Sequence, residues 1–147
     1  MSLKERLTND IKEAMKNKDI VNKNVITMIR SDIKQMEVDK RIDVSDEEVI
    51  EIISRQLKQR KDAKDEFQKG NRQDLVEQCE NEIEVLLKYL PKQLSEEEVR
   101  EIVLAVINET GFSSSKDMGK LMAAVMPKVK GKADGKIVNQ VVRQSLN

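Results

Sequence analysis

Apolar residues recur at helical spacing along nearly the whole chain, and seven amphipathic stretches separate on that pattern. Leu3, Leu7, Ile11, Ala14 and Met15 share one face and predict a helix from about Leu3 to Lys16. Val25, Met28, Ile29, Ile33 and Met36 predict a second, from about Ile20 to Arg41. The third runs from Asp46 to Lys69 on Val49, Ile50, Ile53, Leu57 and Phe67, with a stripe that thins after Leu57. Gly70 follows it, where a helix end favours a left-handed residue. Leu75, Val76, Cys79, Ile83, Leu86, Leu87 and Leu90 mark a fourth helix from about Arg72 to Leu90, ended by Pro91. Val99, Ile102, Val103, Val106 and Ile107 mark the fifth, which stops at Gly111. The sixth begins at Ser113-Ser114-Ser115, carries Met118, Leu121, Met122, Val125 and Met126, and is closed by Pro127. Ile137, Val138, Val141, Val142 and Leu146 give the seventh, from about Asp134.

Starts are legible as well as faces. Ser2–Glu5, Ser45–Glu48 and Ser95–Glu98 each fit a capping box, in which Ser and Glu satisfy backbone N–H groups that the first turn leaves unpaired. Leu94 precedes the Ser95 cap and is placed for a hydrophobic staple to Val99. No segment has the β-branched and aromatic alternation of a strand. The expected fold is all-α, with about seven helices: a four-helix N-terminal part over residues 1–92 and a three-helix C-terminal part over 93–147.

Composition narrows the chemistry. Of 147 residues, 37% are charged, 38% hydrophobic and only 2% aromatic, with no His, no Trp and one Cys. Histidine-dependent acid–base, nucleophilic and metal chemistry is excluded. Cys79 alone builds neither a disulfide framework nor a zinc finger. No apolar run approaches the roughly 18–20 residues of a membrane span, and Met1–Arg6 has no apolar signal core, so a cytoplasmic location is expected. The acidic runs Asp46-Glu47-Glu48 and Glu96-Glu97-Glu98 sit in first helical turns, where the helix dipole favours carboxylates. That accounts for them without catalysis or a metal. Cys79 falls on an apolar stripe and reads as a buried thiol. Tyr89, Phe67 and Phe112 are too scattered for a base-stacking platform. The methionines, mostly at helix-face positions, read as core. The mixed-charge run Lys58–Glu66 reads first as a solvated helix face, with an RNA-contacting face as the sharper alternative.

Charge is uneven along the chain. Residues 1–110 carry 20 basic and 25 acidic side chains, whereas residues 111–147 carry 7 basic and 2 acidic. A basic tail on an acidic body points to an anionic partner. The sharpest candidate is Met126–Lys136, where Lys128, Lys130, Lys132 and Lys136 are interleaved with Gly131 and Gly135. Lysines supply point charges for phosphate oxygens, glycines let a backbone approach a ligand, and a helix start offers free N–H groups. The same segment also fits an ordinary solvated turn. It is not a P-loop, for it lacks both the Gly-x4-Gly-Lys-Ser/Thr pattern and a preceding strand. Gly119, inside the sixth helical pattern, implies either close helix packing or an approaching ligand.

Several of these stretches resemble the YqeY family: Lys58-Gln-Arg-Lys-Asp-Ala63, Gly70-Asn-Arg-Gln-Asp-Leu75, Tyr89-Leu-Pro-Lys-Gln-Leu-Ser-Glu-Glu-Glu98, Lys116-Asp-Met-Gly-Lys-Leu-Met122, Met126–Lys136 and Val138-Asn-Gln140. The resemblance covers essentially the whole chain. Its C-terminal part is also similar to the tail domain of the B subunit of glutamine-dependent aminoacyl-tRNA amidotransferase. That likeness implies a helical two-part fold and a tRNA-binding module that recognises the outer body of the tRNA. The matching positions are Gly119, Lys120, Lys128, Lys130, Gly131, Lys132, Gly135 and Lys136. The amidotransferase's catalytic core is absent, so a carbon–nitrogen ligase label would be inherited by domain similarity. The expectation is a non-catalytic accessory module that binds tRNA, assists an aminoacyl-tRNA synthetase or amidotransferase, and needs no cofactor, metal or membrane. The rival expectation is a helical protein-interaction module whose acidic four-helix half docks on such an enzyme.

Overall fold

The computed structural model describes residues 1–146, and seven α-helices account for most of them. They are α1 (Leu3–Lys16), α2 (Ile20–Lys40), α3 (Asp46–Lys69), α4 (Gln73–Leu87), α5 (Glu96–Thr110), α6 (Met118–Val129) and α7 (Gly135–Ser145), with a single 3-10 turn at Ser115–Asp117 before α6. There is no strand among the described residues, and the fold is all-α. The chain separates into two compact units, one over Met1–Leu90 and one from Pro91 onward.

All three capping boxes form. At α5 the Ser95 hydroxyl accepts from the Glu98 N–H at 3.1 Å, and the Glu98 carboxylate accepts from the Ser95 N–H at 3.1 Å. The Ser95 N–H first, and the Ser95 hydroxyl second, hold the Glu98 carboxyl below its ordinary range. A depressed carboxylate contributes stability above its unfolded pKa and loses it as pH falls through its folded pKa. Protection of the first α5 amides from hydrogen exchange should therefore weaken as pH drops through the acidic range. Ser95→Ala should cost about 1 kcal/mol in denaturant unfolding of the C-terminal unit and reduce that pH dependence without abolishing it, because the N–H of residue 95 still donates to Glu98.

In the N-terminal unit, α1, α2, α3 and α4 enclose one core: Leu7, then Val25, Ile26, Ile29 and Ile33, then Val49, Ile52, Ile53 and Leu57, then Val85 and Leu86. Tyr89 is buried beside them. Its hydroxyl donates to the Asp10 carboxylate at 2.5 Å, and the Arg6 guanidinium lies 4.7 Å from its ring centre. Burial first, then the Asp10 bond, pushes the phenol well above its ordinary pKa. The thinning of the α3 stripe after Leu57 has a physical reason. The next inward positions are charged and meet partners on α4: Arg60 pairs with Glu82 at 3.2 Å and Lys64 with Glu80 at 3.4 Å.

The C-terminal unit closes a second core of small branched side chains. Val99, Val103 and Val106 of α5 meet Leu121, Val125 and Val129 of α6 and Val138, Val141 and Val142 of α7. Leu94 packs against this cluster as the staple predicts. Pro127 does not close α6; the helix runs two residues further, to Val129. Full burial of Val129 explains the extension, since the apolar contact offsets the hydrogen bond that proline cannot make. At the other boundary, α4 stops at Leu87, and Lys88 to Leu90 form tighter turns closed by 3.1–3.3 Å bonds. Four residues expected inward, Met15, Met28, Leu87 and Ile137, are 58%, 49%, 38% and 37% exposed.

Candidate nucleic-acid interface

The basic segment falls at the junction of α6 and α7. Lys128 lies in the last turn of α6, Lys130 and Lys132 in the connecting loop, and Lys136 in the first turn of α7; all four are exposed. The loop is held from below. Gly131 adopts φ +76°, the left-handed region where a Cβ would be strained. The Lys132 and Ala133 N–H groups donate back to the Val129 carbonyl at 2.8 and 3.1 Å. The segment before α5 completes the clamp, because the Leu94 N–H donates to the Lys132 carbonyl at 2.7 Å and the Gln93 amide to the Gly131 carbonyl at 2.9 Å. Ala133 packs on the core. Backbone polar groups thus point inward into hydrogen bonds, and the lysine side chains are carried outward on a fixed frame. A frame already ordered loses less conformational freedom on binding.

Among the described residues, the carboxylates of Asp134 and Glu109 bear on this surface. Asp134 caps α7 and accepts from the Lys136 N–H at 2.9 Å. The start of α7 is therefore occupied by the protein's own carboxylate. That departs from the expectation of free N–H groups offered to an external anion. Glu109 approaches Lys128 at 4.0 Å, an exposed pair of little energetic weight.

The remaining sequence-predicted positions lie apart from the loop. Gly119 and Lys120 are at the opposite end of α6 from Lys128, a separation of about 12 Å along the helix axis. Gly119 is in the first turn rather than in mid-helix, and nothing lies within 4 Å of where its Cβ would be. Close packing does not account for it. Gly135, the first residue of α7, is equally open. The structure thus gathers Lys128, Lys130, Gly131, Lys132, Gly135 and Lys136 along one short stretch, and leaves Gly119 and Lys120 at a second location on the same helix.

Other candidate chemistry reduces to structure. Cys79 is buried, and desolvation first, then the Glu82 charge, pushes its thiol up. No group of His, Cys, Asp and Glu suited to a metal ion occurs among the described residues. No helix there is long and apolar enough to cross a membrane.

A family model described as Yqey-like protein matches residues 4–146. Curated relatives share the name "Altered inheritance of mitochondria protein 41, mitochondrial". The one from Lachancea thermotolerans is 42% identical over 85 residues, which cover 57% of this chain and 46% of that protein. The one from Kluyveromyces lactis is 38% identical over 107 residues, covering 70% of this chain and 57% of that protein. The one from Pyrenophora tritici-repentis is 28% identical over 125 residues, covering 82% and 69%. The matches thus span about half the length of the first two relatives.

Proposed function

Because the chain belongs to the YqeY family, we propose that its C-terminal unit is a tRNA-binding accessory module that performs no chemistry alone. The observation that carries this reading is a set of exposed lysines around a hydrogen-bonded loop: Lys128 at the end of α6, Lys130 and Lys132 on the loop, and Lys136 at the start of α7. Such a surface suits the phosphate backbone, recognised by shape and charge rather than by splayed bases. Gly119 and Lys120, about 12 Å from Lys128 along the α6 axis, lie outside this surface. Assistance to an aminoacyl-tRNA synthetase or amidotransferase, in a cytoplasmic setting, is the role we assign to the module. The relatives are named as mitochondrial, which describes those proteins.

The docking alternative rests on the thin stripe on α3 after Leu57 and on the mixed-charge face of that helix. That stripe is filled by Arg60–Glu82 and Lys64–Glu80 within the N-terminal unit itself, so the RNA reading is preferred.

Reversing Lys128, Lys130 and Lys132 to Glu tests it. The variant should keep its thermal midpoint, because all three side chains are exposed. Its affinity for total tRNA should fall by at least about tenfold at low salt, where each phosphate contact is worth most. Equal affinity in a folded variant would remove the assignment.

A further inference from the structure

The N-terminal unit carries a basic groove that the C-terminal lysines do not explain. It lies between α1 and α2 and has a volume of about 570 Å³. Leu7 and Ile33, both buried, form its floor. Three cations line it: Lys4, Arg30 and Lys34. The single lining carboxylate, Glu37, is already engaged. It accepts from Lys4 Nζ at 2.6 Å and from the Val44 N–H at 3.2 Å, and these bonds raise the Lys4 pKa and lower that of Glu37. Lys4 and Glu37 therefore cancel, and Arg30 and Lys34 supply the net charge of the groove.

Arg30 and Lys34 are one turn apart, exposed, and have no ion pair or hydrogen bond among the described residues. Like charges four apart on a helix repel. The repulsion here goes uncompensated in a unit that is otherwise slightly acidic, with 18 basic and 20 acidic side chains over residues 1–90. Elsewhere in the unit, cations that face another helix find acids, as Arg60 and Lys64 do. The hydroxyls divide by role. Thr8 and Thr27 donate to the carbonyls of Lys4 and Lys23 on their own helices, at 3.0 and 2.7 Å. Ser31, between the two cations in sequence, also lines the groove. Guanidinium, ammonium and one hydroxyl thus converge on an open cleft with an apolar floor, a donor set matched to a tetrahedral oxyanion.

We propose that the groove between α1 and α2 binds a phosphate group, held by Arg30, Lys34 and Ser31. The source is either a polynucleotide backbone or a small phosphorylated molecule. The inference does not depend on the C-terminal lysines.

The test is an amide NMR titration of the isotopically labelled full chain with inorganic pyrophosphate at low ionic strength. Saturable shifts confined to residues 4–8 and 27–34 are expected. Arg30→Gln with Lys34→Gln should weaken the binding by at least about tenfold, the loss of one charge-assisted contact or more. Lys128→Gln with Lys132→Gln should leave it unchanged. Non-saturating shifts spread over all surface lysines, or titration unaltered by the Arg30/Lys34 variant, would overturn the site. Total tRNA then identifies the source. Groove signals perturbed by tRNA in the parent chain but not in the Arg30/Lys34 variant assign the phosphate to a polynucleotide. Pyrophosphate binding that tRNA neither reproduces nor displaces assigns it to a small molecule. Failure of the C-terminal reading would show instead as tRNA affinity indifferent to Lys128, Lys130 and Lys132, with the pyrophosphate result intact.

Discussion

Replacing Glu82 with Ala is expected to destabilise the N-terminal unit by about 3 kcal/mol, the lower end of the cost of orphaning a buried charge. The Arg60 side chain is 9% exposed and that of Glu82 is 21% exposed. Arg60 donates from Nε to Glu82 at 3.2 Å, and from its other nitrogens to the Gln56 carbonyl at 3.4 Å and the Met28 sulfur at 3.1 Å. Only Glu82 carries a compensating negative charge among these partners. Without it the guanidinium must either stay charged in a poorly solvated site or drag α3 away from α4. Some water reaches the Glu82 side, which keeps the loss near the lower bound. A double variant, Arg60→Met with Glu82→Leu, should recover most of the stability, since neither charge is then left alone. Urea denaturation of the two variants checks both parts.

The second large effect concerns the C-terminal unit. Leu121→Ala should cost about 3 kcal/mol, the lost transfer energy plus the cavity left at a position with 0% exposure. Leu121 belongs to the cluster where α5, α6 and α7 meet, and the surrounding residues are mostly valines with little reach to refill the space. The unit has fewer than sixty residues, and a core of that size has only a few kcal/mol to lose. The α6–α7 loop depends on this core through Val129 and Ala133. Under the proposed function, Leu121→Ala should therefore lower tRNA binding as well as the melting temperature, though none of the lysines proposed to meet RNA has been changed. Leu104→Ala, at an exposed position on α5, serves as the control and should do neither.

Much of this architecture could be read from the chain because local and global signals agree in it. Ser2, Ser45 and Ser95 announce three helix starts, and all three form the reciprocal bonds the motif requires. The apolar periodicity fixes the faces of α1, α5 and α7 almost residue by residue. The signal fails where tertiary contacts outweigh local preference. Burial of Val129 carries α6 beyond Pro127. Arg60 takes an inward place that an apolar pattern cannot announce, because its role exists only once Glu82 on α4 faces it. Methionines at helical spacing suggest core, yet Met15 and Met28 are about half exposed. At the candidate site, the sequence names the lysines but not the frame that presents them. The bonds from Leu94 and Gln93 join residues almost forty positions apart, and no spacing rule anticipates such a pairing. The Asp134 cap was present in the sequence as a good N-cap type, and its carboxylate is what takes the helix start away from an outside anion. The Arg30/Lys34 groove escaped the linear reading for a related reason. Its charge stands out only when Glu37 is seen to be occupied by Lys4 from another helix.

Whether the α6–α7 lysines meet RNA phosphates is read from tRNA binding by the full chain across a salt series, with duplex DNA as the competitor. Log affinity should fall linearly with log salt, tRNA should be preferred, and the slope should drop by about 0.7–0.9 for each contacting lysine replaced by Gln among Lys128, Lys130, Lys132 and Lys136. No binding at low salt, or a slope indifferent to those four lysines, would contradict that contact.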